Sequence, residues 1–389
     1  MTSSPERIYL DNAATSWPKP EAVYQAVDRY QRSCGASSGR GVYSHAIESQ
    51  QLVDQCRRSL ATLLGASDPA RVIFTSSGTD ALNLAIQGIL APGDHVIASD
   101  ADHNSVLRPL RMLEGRGLAL SIIPLADGRI DLEKLERSVR PSTKLVCVNH
   151  ASNVTGLVQP LSEIAAICQR TGALLLVDAA QSLGHLPIDV AALGCDLLAS
   201  PGHKGLWGPL GTGLLYVGDR VSELLRPLRY GGTGSRSVEE TMPTELPDRL
   251  EAGNLNLPGI AGLGAGVREV LQVGVAAIAK QEQQLRAELI AGLSSIAGVQ
   301  LYGAHPGAAA VGVVSLNVEG IDPLELASLL DANFGMQVRA GLHCAPRMHL
   351  SLGTAPTGTV RLSVSHFTTS SQVASAVEAI RSIAEAMAG

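Results

Sequence analysis

The sequence predicts an α/β fold: a large domain on a mostly parallel, seven-stranded sheet, joined to a smaller α+β domain. Three observations predict it. Seven short apolar runs, at 72–75, 95–99, 119–124, 144–149, 173–177, 195–199 and 213–217, have the length of buried strands. Amphipathic segments such as 131–139 and 161–170 alternate with them, as in strand–helix–strand units. The 389 residues exceed what one small domain needs, since domains run roughly 100 to 200 residues. The expected division is a large domain at 15–257 and a small domain at 1–14 plus 258–389.

In chain order, run 72–75 leads into Ser76-Ser77-Gly78-Thr79-Asp80, which opens a helix with Leu82, Ala85, Ile86, Ile89 and Leu90 on one face. The runs at 173–177 and 195–199 end at Asp178 and shortly before Lys204. From 220 to 258 the chain is rich in Gly, Pro, Thr and Arg and reads as a long loop, a length often tied to function. One long helical pattern covers 260–296. Apolar runs at 311–317 and 359–364 and a last helix from Gln372 complete the smaller domain. No internal repeat is present.

Composition narrows the function classes. Apolar residues make up 45% and charged residues 17%, which excludes a disordered chain, and with only 3% aromatics the core rests on Ala, Val, Leu and Ile. A net charge of -6 without a long Lys/Arg run argues against a nucleic-acid partner and for a small molecule. The opening MTSSPERIYLDNAAT has no basic region followed by an apolar core, and no run approaches the ~20 residues that span a bilayer, so no membrane role is expected. Six cysteines without paired spacing suggest neither a disulfide framework nor a zinc site, and a reducing cytoplasm is expected.

Asp178 and Lys204 carry the chemistry. Lys204 lies in the turn Ser200-Pro201-Gly202-His203-Lys204-Gly205, where its amine can project into a cleft and condense with an aldehyde. Asp178, at a strand's carboxyl end, can hold a pyridine nitrogen protonated and so make the ring an electron sink. Ligands of such sheets gather at strand carboxyl ends. Each alone has an ordinary reading, a solvated lysine or a turn-capping aspartate. Together, with Gly-rich flanks, His203 and Gln181, they point to pyridoxal phosphate.

The helix start at Gly78 offers amides and a positive dipole end to an anion, and Ser77 and Thr79 add hydroxyls. A plain Ser/Thr N-cap is the competing reading. His103, after the run 95–99, can stack on a planar cofactor. Asn153 and Gln181 can reach the ring's phenolic oxygen, although Asn-x-x-Gly also suits a turn.

Arg339-Ala340-Gly341-Leu342-His343-Cys344-Ala345-Pro346 sets Cys344 in a small-residue loop, where a thiol is exposed and its reactive thiolate accessible. Cys147, Cys168 and Cys195 sit in apolar patterns and read as buried. His343, Cys344 and His349 lack the spacing that completes a metal site, so no metal is expected.

These segments together resemble the class V aminotransferases, within them the second-group cysteine desulfurases, with selenocysteine lyases nearby. The likeness runs over nearly the whole chain: Tyr9 to Thr15, SSGTDALN, Asp102-His103-Asn104-Ser105, Ser152-Asn153-Val154-Thr155-Gly156, VDAAQS, SPGHKG, Glu251-Ala252-Gly253-Asn254, RAGLHCAP and Gly358-Thr359-Val360-Arg361. The resemblance implies a pyridoxal 5'-phosphate enzyme of fold type I, a homodimer with the cofactor on Lys204. It places Asp178 at the pyridine nitrogen, Asn153 and Gln181 at the phenolic oxygen and His103 over the ring. Gly78, Thr79, Ser200 and His203 join the phosphate site, with Thr233 reaching the partner's. Arg361, with Asn12 and Ala13, binds the substrate, and Cys344 takes the sulfur of L-cysteine, leaving alanine and a persulfide for a sulfur-acceptor protein.

Two positions depart from that pattern. Thr233 stands where second-group desulfurases carry Glu, and Leu342 replaces the first of two histidines before the cysteine. Competing functions are a selenocysteine lyase, a cysteine or cystine β-lyase releasing pyruvate, and a cofactor-binding regulator without turnover.

Overall fold

The computed structural model describes residues 7–39, 41–234, 238–305 and 307–388. Seven strands form at the seven predicted places: β1 (Val72–Thr75), β2 (His95–Ser99), β3 (Ala119–Ile123), β4 (Thr143–Asn149), β5 (Leu174–Asp178), β6 (Leu197–Pro201) and β7 (Gly213–Val217). They make one sheet in the order β1-β7-β6-β5-β4-β2-β3. Only β7 runs antiparallel to its neighbours, β1 and β6; the others pair in parallel.

Helices cover both faces, so the central strands are apolar throughout rather than alternating. In β5, Leu175 and Val177 enter one core and Leu174 and Leu176 the other, the two-residue period of a strand. The run expected at 195–199 pairs two residues later, because Asp196 is engaged first: its carboxylate accepts from the Leu175 amide at 2.8 Å.

The second sheet holds β8 (Val299–Tyr302), β9 (Val313–Val318), β10 (Arg339–Gly341) and β11 (Thr359–Ser363), antiparallel in the order β8-β9-β11-β10. Its core takes Leu326 and Leu330 from the helix Pro323–Phe334 and Val373 and Ile380 from Ser370–Ala388. Leu10, from the start of the chain, joins it.

The single helix expected over 260–296 is two, Leu257–Val273 and Val275–Leu293, bent by 79°. Gly274, at φ 85°, breaks it there, a conformation that costs glycine little. The first helix packs Ile260, Leu263 and Val267 against the large sheet; the second carries Leu285, Leu289 and Leu293 into the smaller sheet's core. The described part of the loop 220–258 holds the short turn of helix Asp219–Val221 at its start and the first residues of the helix from Leu257 at its end; residues 235–237 lie outside the described residues. No single described helix is long and apolar enough to cross a membrane.

Candidate active site

Register places the first pair of functional groups. Asp178 ends β5, opposite Asn149 of β4 and Ala199 of β6, while Lys204 follows three residues after the end of β6. Two close approaches seat the lysine turn. A Cβ on Gly205 would lie 2.3 Å from the Leu183 carbonyl oxygen, and one on Gly184 2.1 Å from that of Gly205, so the two loops pack backbone to backbone.

A cavity of about 110 Å³ lies between these loops. Its walls include Lys204, Asp178, Asn153, Gln181, His103, His203, Gly78 and Thr79. Eight residues expected from the sequence thus line one cavity. Among the described residues, Lys204 Nζ has no hydrogen-bond or ion-pair partner. Burial, with Arg361 adding, pushes its pKa down to about 8. Burial raises the Asp178 carboxyl above the usual carboxylate range, against the Ala180 amide at 3.0 Å and the charge of Lys204.

Gly78 opens the helix Gly78–Ile89, with Ser77 accepting from the Asp80 amide at 3.1 Å. A Cβ on Gly78 would come within 2.9 Å of Pro201 Cδ, so glycine lets the helix start close on the end of β6. The amides of Gly78 and Thr79 have no intrahelical acceptor, and Thr79 Oγ1 meets Ser105 Oγ at 2.8 Å. His203 Nδ1 is buried without a partner. An unpaired amine, a buried carboxylate and an anion-ready helix start fit pyridoxal phosphate.

His103 caps the helix Asn104–Glu114. Its Nδ1 accepts from the Ser105 amide at 3.0 Å, so in the neutral ring the proton sits on Nε2. Burial, with Lys204 and nearby arginines, lowers its pKa to about 4.

Cys344 is the exposed cysteine; Cys56, Cys147, Cys168 and Cys195 are buried. Burial pushes Cys56, Cys168 and Cys195 up to about 12. His343 and Cys344 both adopt left-handed backbone, at φ 48° and 58°, a conformation costing a side-chain residue about 1–3 kcal/mol. The loop is held in three places. Asn153 Nδ2 donates to the His343 carbonyl at 2.7 Å, and the Asn104 amide to the Cys344 carbonyl at 2.8 Å. His343 Nε2 donates to the Thr359 carbonyl at 3.1 Å.

Arg361, only 1% exposed, donates to the Asn153 carbonyl at 3.0 Å and to Asp11 Oδ1 at 2.6 Å. Its Nε is buried without a partner. Arg339 stands opposite Arg361 across β10 and β11, and its Nη2 lies 3.7 Å from Cys344 Sγ. Neither Asp11 nor Arg339 was singled out from sequence, although both lie in quoted segments; an arginine five residues before an exposed cysteine was the one available signal.

Other expected residues lie outside the cavity wall. Ser200 is buried, its hydroxyl directed to the Pro201 carbonyl. Asn12 Nδ2 and the Ala13 amide bind Ser363, and Gln181 Nε2 donates to the Ala13 carbonyl at 2.9 Å, so both line a small neighbouring space. Thr233 lines a separate groove of about 1130 Å³ with Tyr30, Arg57 and Glu251.

A lysine and an aspartate facing each other at strand ends of a mostly parallel sheet define a pyridoxal phosphate site of fold type I. The chain belongs to the aminotransferase class-V family, which it matches over residues 8–375, and that family is pyridoxal phosphate dependent. It is 37% identical to a probable cysteine desulfurase of Methanothermobacter thermautotrophicus, over 97% of this chain and 95% of that one. A probable cysteine desulfurase of Halalkalibacterium halodurans is 36% identical, over 87% and 84%. Among solved structures, the apo cysteine desulfurase from Thermococcus onnurineus NA1 superposes with a TM-score of 0.92 at 34% identity, covering 98% of this chain and 95% of that one. The cysteine desulfurase CsdA of Escherichia coli, as its S-sulfonic acid, gives 0.88 at 28% identity, covering 99% and 96%.

Proposed function

We propose that the chain is a pyridoxal phosphate-dependent cysteine desulfurase that converts L-cysteine to L-alanine and holds the sulfur as a persulfide on Cys344. One observation carries the reading: the exposed Cys344 loop hangs by Asn153 and Asn104 from elements that also wall the Lys204 cavity. Bound there, pyridoxal phosphate supplies an electron sink for bonds at the substrate's α and β carbons.

The chain's own groups divide the remaining work. Lys204, with a pKa near 8, is partly neutral at physiological pH and so nucleophilic. Asp178 would provide the buried negative charge that keeps a pyridine nitrogen protonated. Gly78, Thr79 and His203 would hold the phosphate, and Asn153 and Gln181, on the same cavity wall, would serve the phenolic oxygen. Neutral His103 carries its proton on Nε2, would offer it to a group bound in the cavity, and does not add a second cation beside Lys204.

Arg361 is pre-aimed by Asp11 and Asn153 and has its Nε free for the substrate carboxylate, a planar donor for a planar acceptor. The Cys344 thiolate then takes the substrate sulfur. An S–S bond forms as the carbon–sulfur bond breaks, and the electron pair stays with the carbon, which takes a proton to become alanine's methyl group. Arg339 Nη2, 3.7 Å from Cys344 Sγ, gives the thiolate a cationic neighbour.

The assembly we propose is a homodimer. Val42, Tyr43 and Tyr230 are exposed apolar side chains, and the groove lined by Thr233 has the size to take a short segment of a second copy. A sulfur-acceptor protein is the proposed consumer of the persulfide, for which Cys344 is accessible. Free thiols throughout suit the cytoplasm as the proposed location. Product analysis with L-cysteine tests the reaction: alanine in step with enzyme-bound sulfur supports it, and pyruvate with ammonia overturns it.

A further inference from the structure

The peptide joining His203 to Lys204 is gripped by a segment that contributes no group to the cavity. The His203 carbonyl accepts from the Ser16 amide at 3.0 Å, Thr15 Oγ1 at 3.1 Å and Lys19 Nζ at 2.8 Å. Ser16 Oγ accepts from Lys19 Nζ at 2.8 Å and donates to the Lys204 carbonyl at 3.0 Å. The Lys204 carbonyl also accepts from the Trp207 amide at 2.9 Å. From another direction the Gly205 backbone lies against Leu183 and His185, leaving no room for a Cβ.

Lys19 is unusual in this company. Among the described residues no carboxylate lies within ion-pair distance of it, so its ammonium is spent on a carbonyl and a hydroxyl. Burial costs it enough to lower its pKa to about 8. A lysine needed only for solubility would stay in water.

We propose that Lys19 is a positioning residue for Lys204: its ammonium, braced on Ser16, fixes the His203 carbonyl and with it the peptide from which the reactive lysine side chain departs. The proposal rests on Lys204 being the cofactor-bearing lysine. Lys204 is a long lever, and a small rotation of its peptide displaces Nζ far more than the backbone; a misplacement of about 1 Å at a reacting group costs on the order of a hundredfold in rate.

The experiment compares Lys19→Met, Lys19→Arg and Ser16→Ala with wild-type holoenzyme by visible circular dichroism of the bound cofactor, borohydride trapping with peptide mass analysis, and steady-state kinetics with L-cysteine. Lys19→Met is expected to trap cofactor on Lys204, with its visible dichroism reduced by about half and kcat by roughly tenfold, while KM stays within about twofold. Lys19→Arg recovers most of both, and Ser16→Ala shifts both in the same direction. Dichroism within about a tenth of wild type in Lys19→Met, with kcat within about twofold, overturns the proposal, as does a Lys19→Arg variant that recovers neither. Should Lys19→Met fail to fold, Ser16→Ala decides on the same two readouts. Should wild type yield no alanine, the desulfurase reading fails while dichroism and trapping still judge Lys19.

Discussion

Asn153 donates its side-chain amide to the backbone carbonyl of His343 at 2.7 Å, so the cofactor cavity and the cysteine loop share one residue. Asn153→Ala removes a hydrogen bond worth about 1 kcal/mol from a loop already bearing left-handed strain. Persulfide formation is expected to slow roughly fivefold or more. Rapid-quench measurement of sulfur on the protein checks this; an unchanged rate denies the loop its tether.

Lys204→Ala is expected to remove the visible absorbance of the covalently held cofactor, and none of the other lysines replaces it. In wild-type apoenzyme the attachment rate follows the neutral amine. With the pKa lowered to about 8, the charged form is lost as pH rises through that value. Attachment therefore accelerates from pH 6 and levels off above about 8. A rate that keeps climbing toward the ordinary lysine value places a different lysine, or a hydrated one, at the site.

Asp178→Ala leaves an apolar hole where a buried charge faced the cofactor. The fold is expected to persist, since among the described residues the Asp178 carboxylate makes one hydrogen bond, to the Ala180 amide, while turnover falls by orders of magnitude. Near-normal turnover with a normal melting temperature assigns the ring nitrogen another partner.

Arg361→Ala is expected to raise KM for L-cysteine first, because losing a charge-assisted partner costs about 1.5–3 kcal/mol, roughly ten- to a hundredfold. Asp11 is then left without its cation, so Asp11→Ala/Arg361→Ala should lose less than the sum of the two single changes. Kinetics on the four proteins measure the coupling, and strict additivity excludes Asp11 as the aiming group.

Asp178 and Lys204 were legible in the sequence because the first ends an apolar run and the second lies in the Gly-containing turn just after another, and a strand buried on both faces shows itself by composition alone. The bend at Gly274 was not legible. Val273 and Val275 continue the apolar pattern across it, and only the observed φ separates a break from a tolerated glycine. The Asp11–Arg361 pair was hidden for another reason: 350 positions separate its members, and no local period connects them. Ser200 and Thr233 were placed at the phosphate by resemblance, yet within one chain Ser200 turns inward and Thr233 faces its own groove.

The central claim is that Cys344 receives the sulfur, and peptide mass spectrometry after a single turnover with L-cysteine tests it most directly. The account predicts one extra sulfur on the peptide holding Cys344, none on the buried cysteines, and no alanine from Cys344→Ser although that variant still binds cofactor and cysteine. Alanine released by Cys344→Ser at the wild-type rate, or sulfur found on another cysteine, contradicts it.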